Sequence, residues 1–326
     1  WQLLVPNMTP ENLPLLVMGF LSNEVLAAYS PAEQELLMSV CWLPYFREEW
    51  AAELSGIDKA GEIITRLAAG GLIYEYSGRE YSLHRLFRLF LREWSQEHTD
   101  EARRLQFIDR SVLLLLSHDD ADAAVELALK HGLVERAAAL IENQSAELFS
   151  EARHQTLARW IGALPERLRS PWHYYWLGLS LFVNDSARSQ EALLKAYAAF
   201  AASGNQQYRF LALSWVITSY SLSSMCDVPL GEILRRYVDA QNDYHSLTDD
   251  SLKAHLALAV FSGLSMTEPG HPDFDLWQQR AEDALSLPVD QTIKVRILTW
   301  FCIHDFMSGR YRRLEVLCAL LDGQPN

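Results

Sequence analysis

The stretch YSLHRLFRLFLREW, residues 81–94, sets a histidine at the first turn of an amphipathic helix. Imidazole can donate a hydrogen bond. A helix start adds free N–H groups and the positive end of the macrodipole. His84 is therefore placed where it could meet a phosphate. At about 100° per residue, Leu86, Phe87, Phe90 and Trp94 share one face, and Arg85, Arg88 and Arg92 form a basic stripe on the other. Spacing alone leaves two readings open. One is a phosphate contact; the other is an ordinary helix-start histidine beside a solvated arginine face.

Little else in the chain has the arrangement of a reactive centre. The motifs GxxxxGK[ST], GxGxxG, GxSxG and HExxH are absent from the sequence. Gly70-Gly71 follows a helix and fits a C-cap, whereas a phosphate cradle needs amides at a helix start. The acidic clusters at Glu48-Glu49, Asp119-Asp120-Ala121-Asp122 and Asp249-Asp250 lie at expected helix starts, where carboxylates cap amides and complement the dipole. The ten histidines do not fall at metal-ligand spacing. His255 and His304 read as hydrogen-bonded core histidines on apolar helices. Cys41, Cys226, Cys302 and Cys318 form no CxxC pair and suit reduced thiols in a cytoplasmic protein. No catalytic residue and no metal ligand is expected.

The elements that position His84 follow from local signals. Ser30, Pro31 and Glu33 spell an N-cap, a first-turn proline and a capping box. Helices are expected over 22–29, from Ser30 and over 47–54, the last ending at Gly56, with Asp58 capping a further helix stopped by Gly70-Gly71. LIYEY and YSL flank a Ser77-Gly78 turn and read as a hairpin. Short helices followed by a small hairpin make a winged-helix pattern. Beyond Thr99 the reading is helical throughout, including 134–143, 172–183, 206–222, 230–244, 250–264, 289–307 and 312–321. The breaks carry Gly and Pro. Hairpins of about 35 to 45 residues resemble TPR-like repeats, and the Leu-Gly pair in WHYYWLGLSLF suits a degenerate first repeat helix. The expected fold is mainly all-α: a winged helix with a β-hairpin, then a TPR-like α-solenoid.

Composition narrows the function classes. The chain has 326 residues, 49% of them hydrophobic, and a net charge of −14. Such a chain can build large cores and is a poor non-specific binder of nucleic acid or anionic membrane. No apolar run approaches the roughly 20 residues of a membrane span. Residues 22–97 hold seven Lys/Arg against twelve Asp/Glu, a net of −5, the reverse of a DNA-reading domain. A DNA-reading winged helix rests on the arginine stripe alone. Tyr175, Trp176, Trp215, Tyr220 and Trp300 are candidates to line a groove that binds a peptide, a protein or a small molecule. The alternative for each is packing between repeat helices.

Several pieces also carry a family resemblance in the right order. FLSNEVLAAYSPAEQELLMSVCWLPYF resembles a link into a winged helix, and ELSGIDKAGEIITRLAAGGLIYEYSGREYSLHRLFRLFLRE resembles that domain's hairpin and following helix. ADAAVELALKHGLVERAAALIE resembles arm helices, and TLARWIGALPERLRSPWHYYWLGLSLF the entry to a superhelical sensor. Over residues 19–194 the chain is similar to the large LuxR-type transcription regulators typified by the maltotriose-sensing activator, of the STAND class of signal-transduction ATPases. The resemblance implies a linker from a missing ATPase core at 1–21, a winged helix at 22–97, a helical arm at 98–165 and a helical-repeat sensor at 166–326. In the class a Met-His-Asp-like motif supplies a histidine to the β-phosphate of ADP. Leu83-His84-Arg85 matches its position, with only the histidine kept. His84, with Arg85 beside it, is thereby implied to sense nucleotide held by a domain outside this chain. The resemblance further implies ADP or ATP in the full-length protein but no cofactor here. Implied partners are the protein's own ATPase domain and C-terminal helix-turn-helix, and an inducer or regulatory protein on the repeats. DNA would be met only through a missing domain.

Overall fold

The computed structural model describes residues 21–77, 79–222, 244, 245 and 247–310. The chain divides into two compact units, Trp1–Leu140 and Ile141–Asn326. Expectations for 1–20, for most of 230–244 and for 312–321 lie outside the described residues. No described helix is long and apolar enough to cross a membrane.

The first unit opens on a π-helical turn, Leu21–Val25, and a 3₁₀ turn, Leu26–Ala28, where a single helix over 22–29 was expected. Helix α1, Pro31–Val40, begins with the predicted box. The Ser30 amide donates to Glu33 Oε2 at 2.8 Å, and the Glu33 amide donates back to Ser30 Oγ. Helix α2, Glu48–Ser55, ends at Gly56, whose φ of 72° is readily adopted only without a Cβ. Helix α3, Ala60–Ala69, corrects one expectation: its N-cap is Lys59, not Asp58, and no side chain caps it. A capping oxygen must reach amides two or three residues on, and Asp58 sits one residue too early.

Strands β1, Ile73–Ser77, and β2, Glu80–Leu83, pair antiparallel, with Ile73 opposite Leu83 and an irregularity between Glu75 and Ser77. Phe46 and Tyr81 exchange amide-to-carbonyl bonds of 2.8 and 2.7 Å, adding a one-residue third strand. Helix α4, Arg85–His98, buries Leu86, Phe87, Phe90, Leu91 and Ser95. Trp94 is only half-buried and stacks on His98 with ring centroids 4.3 Å apart, so Leu91 takes the inward place expected of Trp94.

The basic stripe is also corrected. Arg85 is exposed, but Arg88 and Arg92 are half-buried and turned onto backbone carbonyls. Arg88 donates to Ser82 Oγ at 2.6 Å and to Leu83 O at 3.1 Å. Ser82 Oγ in turn donates to Pro44 O at 3.0 Å. Arg92 donates to the carbonyls of Cys41 and Trp42, each at 2.8 Å. These follow directly on α1, whose last carbonyls have no helical partner and face the negative end of its dipole.

Helices α5, Glu101–Ser117, and α6, Ala121–Lys130, each start at a capping aspartate, Asp100 and Asp120. They pack onto the winged helix. Arg110 on α5 donates to Glu53 O and Leu54 O at the end of α2. Tyr45 donates to Asp120 at 2.7 Å, and Trp50 stacks on His118 at 4.5 Å. Helix α7, Val134–Ser150, runs past the expected end at residue 143. Ser145 returns its hydroxyl to Ile141 O at 2.6 Å, which satisfies it without breaking the helix. The division between the units falls within α7.

The second unit continues with α8, His154–Ala163; α9, Pro171–Leu181; α10, Ser186–Ala202; α11, Gln206–Leu222; α12, Asp250–Thr267; α13, Phe274–Ala284; and α14, Gln291–Met307. Sequential helices pack on one another, and α12 touches both α13 and α14. Gly178 shows why α9 carries a Leu-Gly pair. A Cβ there would lie 2.5 Å from Leu193 Cγ, and Ser189 Oγ of α10 donates to Gly178 O at 2.7 Å. The two helices meet at backbone distance. One continuous core, including Phe200, Val216, Phe261, Trp277 and Phe301, runs through the helices from α9 to α14.

Replacing Arg92 tests the carbonyl clasp in the first unit. Arg92→Gln leaves buried acceptors without a charged donor and should lower the unfolding free energy by about 2–4 kcal/mol. Arg92→Lys should lose part of that, since an ammonium cannot fork across two carbonyls. Urea unfolding checks this; a Gln variant as stable as the wild type contradicts it.

Candidate functional site

His84 is the N-cap of α4, with φ −53° and ψ 131°. Its backbone is fixed on both sides: the amide donates to Leu72 O at 2.9 Å, and the carbonyl accepts from the Arg88 amide at 2.9 Å. The Arg88 guanidinium holds the preceding carbonyl, that of Leu83. The side chain makes no capping bond, and His84 and Arg85 are both exposed. No acidic residue occupies the first turn of α4 to repel an anion there.

In the second unit, Tyr175 and Trp300 lie in the core, at 6% and 5% exposure, rather than on an open face. Trp176, Trp215 and Tyr220 are half-buried against the same core. Trp176 meets Tyr175 at 5.2 Å and Phe149 at 5.4 Å between ring centroids. Tyr175 and Trp215 come together; Trp300 and Tyr220 serve the packing of α14 and α11.

Two residues that sequence reasoning did not select complete this cluster. The Arg296 guanidinium on α14 lies 4.1 Å from the Trp215 ring centroid on α11. It donates to Thr218 Oγ1 at 3.3 Å. His255 on α12 sits with its ring centroid 6.0 Å from that of Trp215. The expectation of a core histidine holds for His304, at 4% exposure, but His255 is half-buried. Trp215 Nε1–H lies close enough to the Tyr175 oxygen to favour its ionised form, yet it makes no hydrogen bond of ordinary geometry. A signal for Arg296 was present in the sequence: its positions at i±3 and i±4 are Ile293, Thr292, Thr299 and Trp300, without an acid. A cation on an apolar helix with no carboxylate at helical spacing must find another partner.

Burial governs the ionisation of this cluster. It pushes His255 down to about 4, helped by Arg296 and opposed weakly by Asp249 and Asp290. It pushes Arg296 down to about 10 and raises the Tyr175 hydroxyl. In the first unit, burial pushes His131, edge-on to Trp42 at 5.0 Å, down to about 4, with Arg92 adding to it. Among the described residues no three His, Cys, Asp or Glu side chains are grouped to hold a metal ion.

Comparison with known proteins bears on the first unit directly. Residues 22–104 match the MalT winged helix domain. The whole array is similar in fold to a solved Signal Transduction ATPase with Numerous Domains (STAND) protein with a tetratricopeptide repeat sensor, from Pyrococcus horikoshii. The TM-score is 0.58 at 16% identity, over 93% of this chain and 45% of that one. The chain thus spans under half the length of the structure it matches. No curated protein matches it. A MalT-type winged helix followed by helical repeats is what the chain carries. No catalytic domain occurs among the described residues.

His255 also makes stability depend on pH. An unfolded histidine titrates near 6.5, and the folded one near 4. Its neutral form is therefore stabilising above pH 6.5, and that contribution is lost as the pH falls towards 4. Between pH 7 and pH 5 the chain should lose about 2 kcal/mol from this group. Urea unfolding of wild type and His255→Phe at both values checks this. Equal losses in the two proteins would show that His255 is not the titrating group.

Proposed function

We propose that this chain is the regulatory and sensor portion of a signal-responsive transcription regulator. Inducer or partner binding to the helical repeats releases inhibition by the winged helix of a neighbouring nucleotide-binding domain. The carrying observation is His84: its backbone is pinned on both sides while its imidazole is exposed at a helix start and makes no capping bond, a placement that suits a contact with the β-phosphate of ADP. In the resting state His84 holds ADP in the neighbouring domain. An inducer favours an open state, ATP exchanges in, and the protein multimerises on DNA through a separate helix-turn-helix. Nucleotide enters only through the full-length protein. The winged helix is not the DNA reader in this scheme, because Arg88 and Arg92 are occupied by backbone carbonyls. This work is intracellular, in the cytoplasm.

The test is calorimetric titration of ADP into the full-length protein and its His84→Ala variant. Loss of one hydrogen bond to a charged phosphate should weaken ADP about tenfold or more and raise basal transcription. Unchanged ADP affinity and unchanged basal activity would remove His84 from the switch.

A further inference from the structure

Helices α9 and α10 leave a cleft between two facing stripes of side chains. Tyr174, Leu177 and Leu181 recur every three or four residues along α9, and Arg188, Glu191, Ala192 and Lys195 recur in the same way along α10. The helices run antiparallel: the Lys195 ammonium lies 5.9 Å from the Tyr174 ring centroid, and Ser189 donates to Gly178 O. These seven residues and Arg169 line a half-open cavity of about 110 Å³. Tyr174, Leu177 and Ala192 are buried, Arg169 and Leu181 half-buried, and Arg188, Glu191 and Lys195 exposed.

Arg169 is the fixed charge of this cavity. Its Nε and Nη2 donate to Leu164 O at 3.1 and 2.9 Å, and Nη2 also donates to Gly162 O at 3.1 Å. Those carbonyls belong to the end of α8, where helical partners run out. Among the described residues Arg169 forms no ion pair; the neighbouring Glu166 pairs with Lys195 instead, at 3.0 Å. Nη1 takes no part in the carbonyl bonds and is not buried without a partner. The seat on α8 therefore commits two of the three guanidinium nitrogens and leaves the third, on a residue that is itself part of the cavity wall.

The other two cations are held loosely. Lys195 is shared between Glu166 at 3.0 Å and Glu191 at 3.1 Å. Arg188 reaches Asp185 at 3.7 Å, and that carboxylate also caps α10. Exposed pairs of this kind are weak, so both cations can turn to a better acceptor. The wall carries three cations and one carboxylate, a net of +2, in a chain of net charge −14. Glu166 and Asp185 lie outside the wall.

We propose that the cleft between α9 and α10 binds a small aliphatic carboxylate, held by Arg169 and Lys195, with its hydrocarbon body against Tyr174, Leu177, Leu181 and Ala192. The inference rests on the sensor reading of the repeats and names the ligand class they take. A guanidinium already pinned by two nitrogens meets a carboxylate at little further cost in side-chain order. The cavity is well below the roughly 300–1,000 Å³ of sites for drug-sized molecules, so a nucleotide is too large for it. Arg188 stands seven residues from Lys195, about 10 Å along α10, and is placed to meet a second carboxylate on the same ligand.

The experiment titrates this chain with valerate, glutarate and the neutral 1-pentanol, followed by calorimetry and ligand-observed NMR. Both carboxylates should bind, 1-pentanol should bind about tenfold more weakly or worse, and Arg169→Gln should weaken the carboxylates about ten- to a hundredfold. Glutarate binding more tightly than valerate assigns Arg188 to the second carboxylate, and Arg188→Gln should then erase the difference. Glu191→Gln is an exposed change that leaves the fold in place. It frees Lys195 and should tighten both carboxylates about two- to fivefold, a gain that reads the site even if Arg169→Gln unfolds the chain. No carboxylate binding, equal affinity for 1-pentanol, or a Kd unmoved by both Arg169→Gln and Glu191→Gln overturns the site and leaves the sensor reading standing. Carboxylate binding that leaves the ADP affinity of the full-length protein unchanged upholds the site and overturns its sensor role.

Discussion

Guanidinium groups seated on backbone carbonyls hold the winged-helix unit in shape. Arg92 closes the end of α1 and Arg110 the end of α2, where carbonyls lack helical partners. Arg88 ties α4 to β2 through Ser82 and Leu83. Burial lowers the pKa of Arg88 and Arg92, but an arginine keeps its proton, so each charge must be met by dipoles. The C-terminal end of α1 provides them for Arg92, and the Ser82 hydroxyl and Leu83 carbonyl of β2 provide them for Arg88. An apolar replacement would fill the volume and leave those carbonyls buried without donors.

This arrangement explains how an exposed histidine can be well placed. A helix start is ordinarily prone to fraying. Here Leu72, Arg88 and the Leu83 carbonyl fix the backbone around His84, so its ring is presented from a rigid base. Arg296 shows the opposite case in the helical repeats. It is stacked on Trp215 as Arg92 is on Trp42, at 4.1 and 5.8 Å, but it has no set of carbonyls to satisfy it.

Much of this was legible in the residues. The Ser30 box, the Gly56 stop, the hairpin and, among the described residues, the helical run beyond Thr99 follow from short-range signals, and the structure places them as expected. Helix ends were less legible: α7 outran its expected end because Ser145 bonds back within the helix, and Asp58 missed its cap by one residue. The arginines of α4 were misread because helical angle gives direction but not what lies there. Nothing local reveals that Cys41 and Trp42, some fifty residues earlier in the chain, offer carbonyls to Arg92. The Arg296–Trp215 pair was hidden for the same reason, although the missing acid at helical spacing marked Arg296 as unsettled.

The claim that carbonyl-seated arginines make a rigid base for His84 is tested most directly by amide hydrogen exchange on this chain. The account predicts that the His84 and Arg88 amides are protected as strongly as those of the buried turns of α4, because opening them requires the unit to unfold. Exchange of these two amides at the rate of a free loop would contradict it.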